Sequence, residues 1–146
     1  MLSYQIVNHG IFVVSGLILA GYSGVAQDVI SMIRNAVLIK KKSSTILVPC
    51  LLVAAGIIAG VLSNNMGVIG LCPVVACAQY GAAAIYPRSS VNFLRVSMVI
   101  NSSLWAVYCI VLKNYVNALA NIVLAIVAVI AIIKSVCKKE TEGRNE

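Results

Sequence analysis

Two apolar segments that meet at a short polar turn make up residues 100–121, INSSLWAVYCIVLKNYVNALAN. The turn is Lys113-Asn114, and each segment continues into an apolar stretch of a length that suits a transmembrane helix. The stretch therefore predicts two antiparallel helices joined by a tight turn.

The same pattern occurs near the start of the chain. Shifting the sequence by 93 positions places Asn8 on Asn101, Phe12 on Trp105, Tyr22 on Tyr115 and Asp28 on Asn121. An aromatic residue, a turn and a polar residue thus recur in the same register. This recurrence predicts two related helix pairs.

The composition indicates a membrane protein. The chain has 146 residues, of which 61% are hydrophobic and only 10% charged, and its mean hydropathy is +1.00. A single soluble core cannot bury so much apolar surface. We therefore expect an all-α integral membrane protein, with one transmembrane domain over residues 1–137 and a frayed cytoplasmic tail over residues 138–146.

Six apolar segments approach the length of a membrane span. They are residues 6–22, 25–39, 45–62, 66–86, 91–112 and 115–136. These segments predict a helix pair over 6–39, a linking helix over 45–62 and a three-helix unit over 66–136. Pro73 predicts a kink in the fourth helix, and Gly56 and Gly60 predict close helix contacts in the third.

The distribution of basic residues predicts the topology. If six helices alternate across the bilayer, one side receives Lys40, Lys41, Lys42, Arg88, Arg95, Lys134, Lys138, Lys139 and Arg144. The opposite turns receive Lys113 alone. This bias places both termini in the cytoplasm. The same distribution explains the net charge of +7 without binding to nucleic acid, so we expect the lipid bilayer as partner.

The start of the chain lacks a basic signal region, so we expect helix 1 to be retained.

The sequence offers no pattern of an enzyme. All five cysteines lie in or beside apolar segments, where we expect them to be buried and reduced: Cys50, Cys72, Cys77, Cys109 and Cys137. Their spacing fits no zinc site, and there is no phosphate loop and no Ser–His–acid arrangement. We expect no catalysis, no cofactor and no metal.

Three ionisable residues fall at bilayer depth, where each needs a partner, an interface or a function. For Asp28 two interpretations stay open: it caps the start of helix 2, or it faces a cavity opposite Asn121. For His9, a hydrogen bond between helices is favoured over proton coupling. Arg34 lies within two turns of Lys40 and is expected to reach the cytoplasmic headgroups. Pairing with Asp28 is the less favoured alternative, because six residues of helix place the two on opposed faces.

Four residues form the candidate site for a substrate. Tyr80, Tyr86 and Tyr108 are typical of interfacial aromatic residues. Trp105, in contrast, lies at mid-depth, where it would form a stacking wall beside Asn121, a combination that suits polar, ring-shaped solutes. Their counterparts Phe12 and Asp28 complete the site, and Asp28 makes it mildly acidic, which favours a neutral or cationic solute.

The last three helices resemble the three-helix unit of the SWEET, SemiSWEET and PQ-loop transporters. The resemblance lies in Ala78-Gln79, Pro87-Arg88-Ser89-Ser90, Leu104-Trp105-Ala106-Val107-Tyr108 and Asn121. It implies that Trp105 and Asn121 line a substrate pocket. Ala78 replaces the Pro of the Pro-Gln signature, and Cys109 replaces the Gly that commonly follows the Tyr.

The first half of the chain resembles the YgjV-type bacterial inner-membrane proteins. The resemblance lies in Asn8-His9, in residues 16–24, GLILAGYSG, and most specifically in residues 30–35, ISMIRN. Because helix 1 corresponds to helix 5, the first three-helix repeat is incomplete and the counterpart of helix 4 is expected before Met1. Either the true start lies upstream, or a second copy or another membrane partner supplies the missing surface.

These observations lead to two hypotheses. The first is a facilitator of a small polar, sugar-like solute that works by alternating access of two helix repeats. The alternative is a non-transporting membrane scaffold or accessory subunit that packs through small-residue helix faces, above all that of helix 3.

Overall fold

A computed structural model describes residues 2–40, 47–85 and 90–142, and this part of the chain is entirely helices and short turns. A 3₁₀ turn, Ile69–Leu71, precedes the fourth helix. The six α-helices are α1 (Leu2–Ile18), α2 (Tyr22–Lys40), α3 (Leu47–Leu62), α4 (Cys72–Ile85), α5 (Val91–Val111) and α6 (Tyr115–Glu142).

The ends of three helices differ from the prediction. The first turn is made by Leu19, Ala20 and Gly21, so α2 begins at Tyr22 and Ser23 and Gly24 lie in its first turn. The left-handed conformation of Ala20, with φ of 55°, turns the chain earlier than the Gly-rich stretch suggested. At the other end, α6 continues to Glu142, because Lys and Glu favour helix. The predicted frayed tail is therefore helical up to that residue, and 143–146 lie outside the described residues.

The predicted kink at Pro73 is wrong. Pro73 is the second residue of α4. The N–H groups of the first turn have no acceptor within the helix, so the missing N–H of proline breaks no helical hydrogen bond there. The preceding residues, predicted as helix, form a loop instead. Within it the Asn64 side chain accepts from the Met66 N–H at 3.0 Å and donates to the Gly67 carbonyl at 2.8 Å, and Gly67 has φ of +58°. Hydropathy alone could not reveal this turn.

The helices pack mainly in chain order. α1 packs on α2, α5 packs on both α4 and α6, and α3 fills the space between α2 and α4. Gly56 and Gly60 of α3 are buried, and they face Gln27 of α2 and Val74 of α4. The predicted close contacts are therefore confirmed.

The buried core lies where α4, α5 and α6 meet, and its members are Ala76, Trp105, Tyr108, Cys109 and Ala118. No disulfide joins the five cysteines, all of which lie within the described residues. The expectation that all are buried is wrong, because Cys50 and Cys137 lie on outward helix faces and are exposed.

The outer surface is apolar. α6 exposes Val116 by 80% and Leu119 by 63%, and most of its other large aliphatic side chains are also exposed. Val91–Val111 and Tyr115–Cys137 are each long and apolar enough to cross a membrane, and three shorter apolar helices accompany them: Ile6–Ile18, Leu47–Leu62 and Ile69–Ala83. Such a surface is compatible with lipid rather than with water.

Candidate functional site

The turn between α1 and α2 and the turn between α5 and α6 have the same backbone conformation. Ala20 and Lys113 occupy equivalent positions, 93 residues apart, with φ of 55° and 59°. The hydrogen bonds that close the turns are also equivalent. The N–H of the next residue donates to the carbonyl five positions earlier, from Gly21 to Gly16 at 2.9 Å and from Asn114 to Cys109 at 2.8 Å.

Reciprocal hydrogen bonds join the two helix pairs beside these turns. The Asn117 side chain of α6 donates to Ser15 Oγ of α1 at 3.0 Å. The N–H of Gly24 in α2 donates to the Tyr108 hydroxyl of α5 at 3.2 Å. Tyr108 is equivalent to Ser15, and Asn117 to Gly24, at the spacing of 93 residues. Each first helix thus contacts the first turn of the other pair's second helix, as in a two-fold symmetric interface.

Further contacts gather at the same end of the molecule, which we call the turn end and define by Ala20, Asn65 and Lys113. The Ser23 hydroxyl donates to that of Tyr108 at 3.3 Å, and the Asn114 side chain donates to Ser15 Oγ at 3.2 Å. The Asn65 side chain, between α3 and α4, donates to the Ala20 carbonyl at 2.8 Å. All three short turns therefore meet at this end.

Asp28 and His9 form a partly buried pair between α1 and α2. His9 Nδ1 lies 2.7 Å from Asp28 Oδ1, and the exposed fractions of the two side chains are 24% and 4%. The predicted interhelical hydrogen bond of His9 is confirmed. The capping interpretation of Asp28 is wrong, because α2 begins at Tyr22 and Asp28 lies beyond the first turn. As predicted, Arg34 is not its partner among the described residues.

Trp105 is buried, and its ring meets that of Tyr108 edge-on at 5.9 Å between centroids. Cys77 of α4 packs against the core cluster that contains Trp105. No hydrogen bond or ring contact between described residues joins Trp105 to Asp28.

Asn121 and Phe12 have different surroundings. Asn121 is buried in α6 and donates to the Asn117 carbonyl of its own helix at 2.9 Å. Phe12 is half-buried, and its carbonyl accepts from Ser15 Oγ at 3.1 Å. No hydrogen bond or ring contact between described residues joins either one to Asp28 or Trp105. A pocket shared by all four stays a prediction.

A buried polar stripe on α2 was missed by the sequence reasoning. Ser23, Gln27 and Ser31 are spaced by four residues and are all buried, and Gln27 donates to the Gly56 carbonyl of α3 at 2.6 Å. The stripe borders a cleft of about 10 Å³ between α2, α3 and α4, which has room for about one water molecule. The spacing itself was the signal, since every fourth residue shares a helix face.

A model of the Imp-YgjV family, described as a bacterial inner membrane protein, matches residues 1–139. The chain belongs to this family. It is therefore a bacterial inner membrane protein, as the resemblance of its first half implied. Comparison with curated proteins and with solved structures found no match.

Insertion into the membrane requires the buried polar groups of this Imp-YgjV protein to have hydrogen-bond partners. In lipid, polar groups without partners are costly, so they must pair inside the helix bundle. Gln79 does so twice with Ser97 of α5: its amide donates to the Ser97 carbonyl at 2.9 Å and its oxygen accepts from the Ser97 hydroxyl at 2.8 Å. The Gln of the Ala78-Gln79 motif thus joins α4 to α5.

Proposed function

We propose that this inner-membrane protein is a facilitator for a small polar, sugar-like solute, in which the pair α1–α2 moves against the pair α5–α6. The observation that carries the proposal is the reciprocal contact between the pairs, Asn117 to Ser15 and Gly24 to Tyr108. Equivalent halves that meet through equivalent contacts are the architecture on which alternating access is built. An internal repeat of the PQ-loop type is part of this proposal.

The contacts between the pairs suit a gate. They are neutral hydrogen bonds at the turn end, and each contributes about 1 kcal/mol to stability. A small set of this kind can form and break while each pair stays intact. With both termini in the cytoplasm and six spans, the turn end is extracytoplasmic, and this conformation is closed to the outside.

The residues proposed to bind the solute lie deeper between the pairs. Trp105 offers an aromatic face, and the amide oxygen of buried Asn121 has no hydrogen-bond donor among the described residues. Asp28 adds a carboxylate and Phe12 a second ring. An aromatic wall with few polar groups recognises neutral or cationic hydroxylated solutes.

Uptake into proteoliposomes tests this function. The full chain is reconstituted and offered radiolabelled neutral polar solutes in turn: a hexose, a disaccharide, a polyol and a polar amino acid. We expect uptake of at least one above empty liposomes, and its loss in the double variant Trp105→Ala/Asn121→Ala. The matched control, Val107→Ala/Val123→Ala, truncates exposed side chains of the same two helices and should keep uptake.

Two results would oppose the proposal. Uptake that survives Trp105→Ala/Asn121→Ala unchanged would remove these residues from the site. Absence of all uptake, together with stoichiometric co-purification of one membrane partner, would favour the alternative of a non-transporting scaffold or accessory subunit.

A further inference from the structure

The two helix pairs differ at the positions of His9 and Asp28. In the first pair His9 and Asp28 are 2.7 Å apart. The residues 93 positions later are Ser102 and Asn121, which are both buried, with exposed fractions of 2% and 6%. The second pair therefore forms the same hairpin with neutral side chains where the first carries a titratable pair.

This difference indicates that the hairpin can fold without ionisable groups at these positions. An ionisable residue at bilayer depth is costly, by about 2.5–3.5 kcal/mol on insertion scales. Because Ser and Asn serve the equivalent positions in the second pair, the hairpin itself does not require ionisable groups there. Their retention in the first pair then points to a task that neutral groups cannot perform, and the task of a His–Asp pair is to bind and release protons.

Within the described residues, His9 is the ionisable group at hydrogen-bond distance from the Asp28 carboxylate. Tyr108 and Cys109 of α5 and Cys77 of α4 lie in its wider surroundings. Arg34, on the same helix as Asp28, lines the cleft between α2, α3 and α4. α3 and α6 bring no described ionisable side chain into contact with the pair. Within the described residues, His9 is the cation that can face Asp28.

We infer that the His9–Asp28 pair is a proton-binding site, and that one proton binds and leaves there as the proposed facilitator moves its solute. His9 Nδ1 faces the carboxylate, so the incoming proton forms its N–H bond at Nε2 of the same ring. The pair then changes from a net charge of −1, with neutral His9, to a net charge of zero. A quarter of the His9 side chain is exposed, so the ring is not sealed inside the bundle.

The chain is suited to a direct test, because His9 is its single histidine and Asp28 its single aspartate. Full-length protein labelled with ¹⁵N-histidine and carboxyl-¹³C-aspartate therefore gives one ring and one carboxyl to follow by solid-state NMR in liposomes. We expect the His9 ring signal and the Asp28 carboxyl signal to change together over a pH series, because one proton binds to the pair. In Asp28→Asn the ring transition should move. Signals that stay constant over this series, or a ring transition unaffected by Asp28→Asn, would overturn the inference.

The coupling rests on the proposed function and is tested separately. The variant His9→Ser places the residue of the second half at this position and leaves Asp28, a proposed solute-binding residue, unchanged. For one proton per solute, an inwardly directed gradient of one pH unit should raise accumulation of the transported solute by about tenfold in the unmodified protein, but not in this variant. Equal accumulation in both would overturn the coupling. A normal NMR titration in a protein that moves no solute at any pH would refute the proposed function and leave the proton site standing.

Discussion

At the scale of single residues, Tyr108 links the two halves. Its hydroxyl accepts from the Gly24 N–H, which lies in the first turn of α2 and has no acceptor within its own helix. We expect Tyr108→Phe to lower the free energy of unfolding in detergent by about 1–3 kcal/mol, because a buried N–H is left without a partner. The matched control is Tyr115→Phe, since Tyr115 is 65% exposed and should be insensitive. Equal losses in the two variants would contradict this role.

Some of these residues could be predicted and others could not. Trp105, Asn121 and Asp28 were identified from the repeat, and all three are buried. Tyr108 was interpreted as an interfacial aromatic residue because hydropathy patterns carry no information on which polar group its hydroxyl meets. The partner of Asp28 was equally hidden, since His9 lies on another helix and only the packing of α1 on α2 brings them together.

At the scale of helices, glycine sets how closely α3 approaches its neighbours. A Cβ added at Gly60 would lie 2.6 Å from Val74 Cγ2 and would also overlap the Gln27 side chain. We expect Gly60→Ala to lower stability by about 1–3 kcal/mol, measured by unfolding in detergent. Gly10→Ala is the control, because the nearest neighbour of its new Cβ would be Met32 at 3.9 Å. It should stabilise α1 by about 0.5–1 kcal/mol, and a loss there matching that of Gly60→Ala would refute the steric explanation.

The two left-handed turns give a second prediction for this scale. Ala20 and Lys113 hold φ of 55° and 59°, a conformation that L residues adopt at a cost. We expect Ala20→Gly and Lys113→Gly each to raise the free energy of unfolding by about 0.5–1 kcal/mol, by similar amounts if the turns are equivalent. Ala55→Gly, in the interior of α3, should do the opposite. Opposite signs at the two turns would argue against their equivalence.

Helix positions were largely predictable, whereas some of their ends were not. α3, α5 and the start of α6 follow the apolar segments closely. The start of α4 was misplaced because the turn held by the Asn64 side chain extends to Gly67, inside the apolar segment 66–86. The first turn was misplaced because Ala20, rather than a glycine, adopts the left-handed conformation.

At the scale of the whole molecule, the pairs α1–α2 and α5–α6 meet at the turn end through reciprocal hydrogen bonds. The spacing of 93 residues could be found in the sequence, yet these contacts could not. They join Ser15 to Asn117 and Tyr108 to Gly24, and the residues 93 positions apart are of different types. A sequence shift detects similar residues, whereas symmetry of contacts between helices needs coordinates.

The most direct test of movement between the two helix pairs is a measurement of the distance between them at the turn end. Spin labels at the exposed, equivalent positions Tyr22 and Tyr115 can be measured by double electron–electron resonance in liposomes, with the five native cysteines replaced. We expect two distances between the labels, which exchange with each other. The population of the longer distance should increase when Asn117→Ala removes the contact to Ser15. A single distance that Asn117→Ala leaves unchanged would contradict movement of one pair against the other.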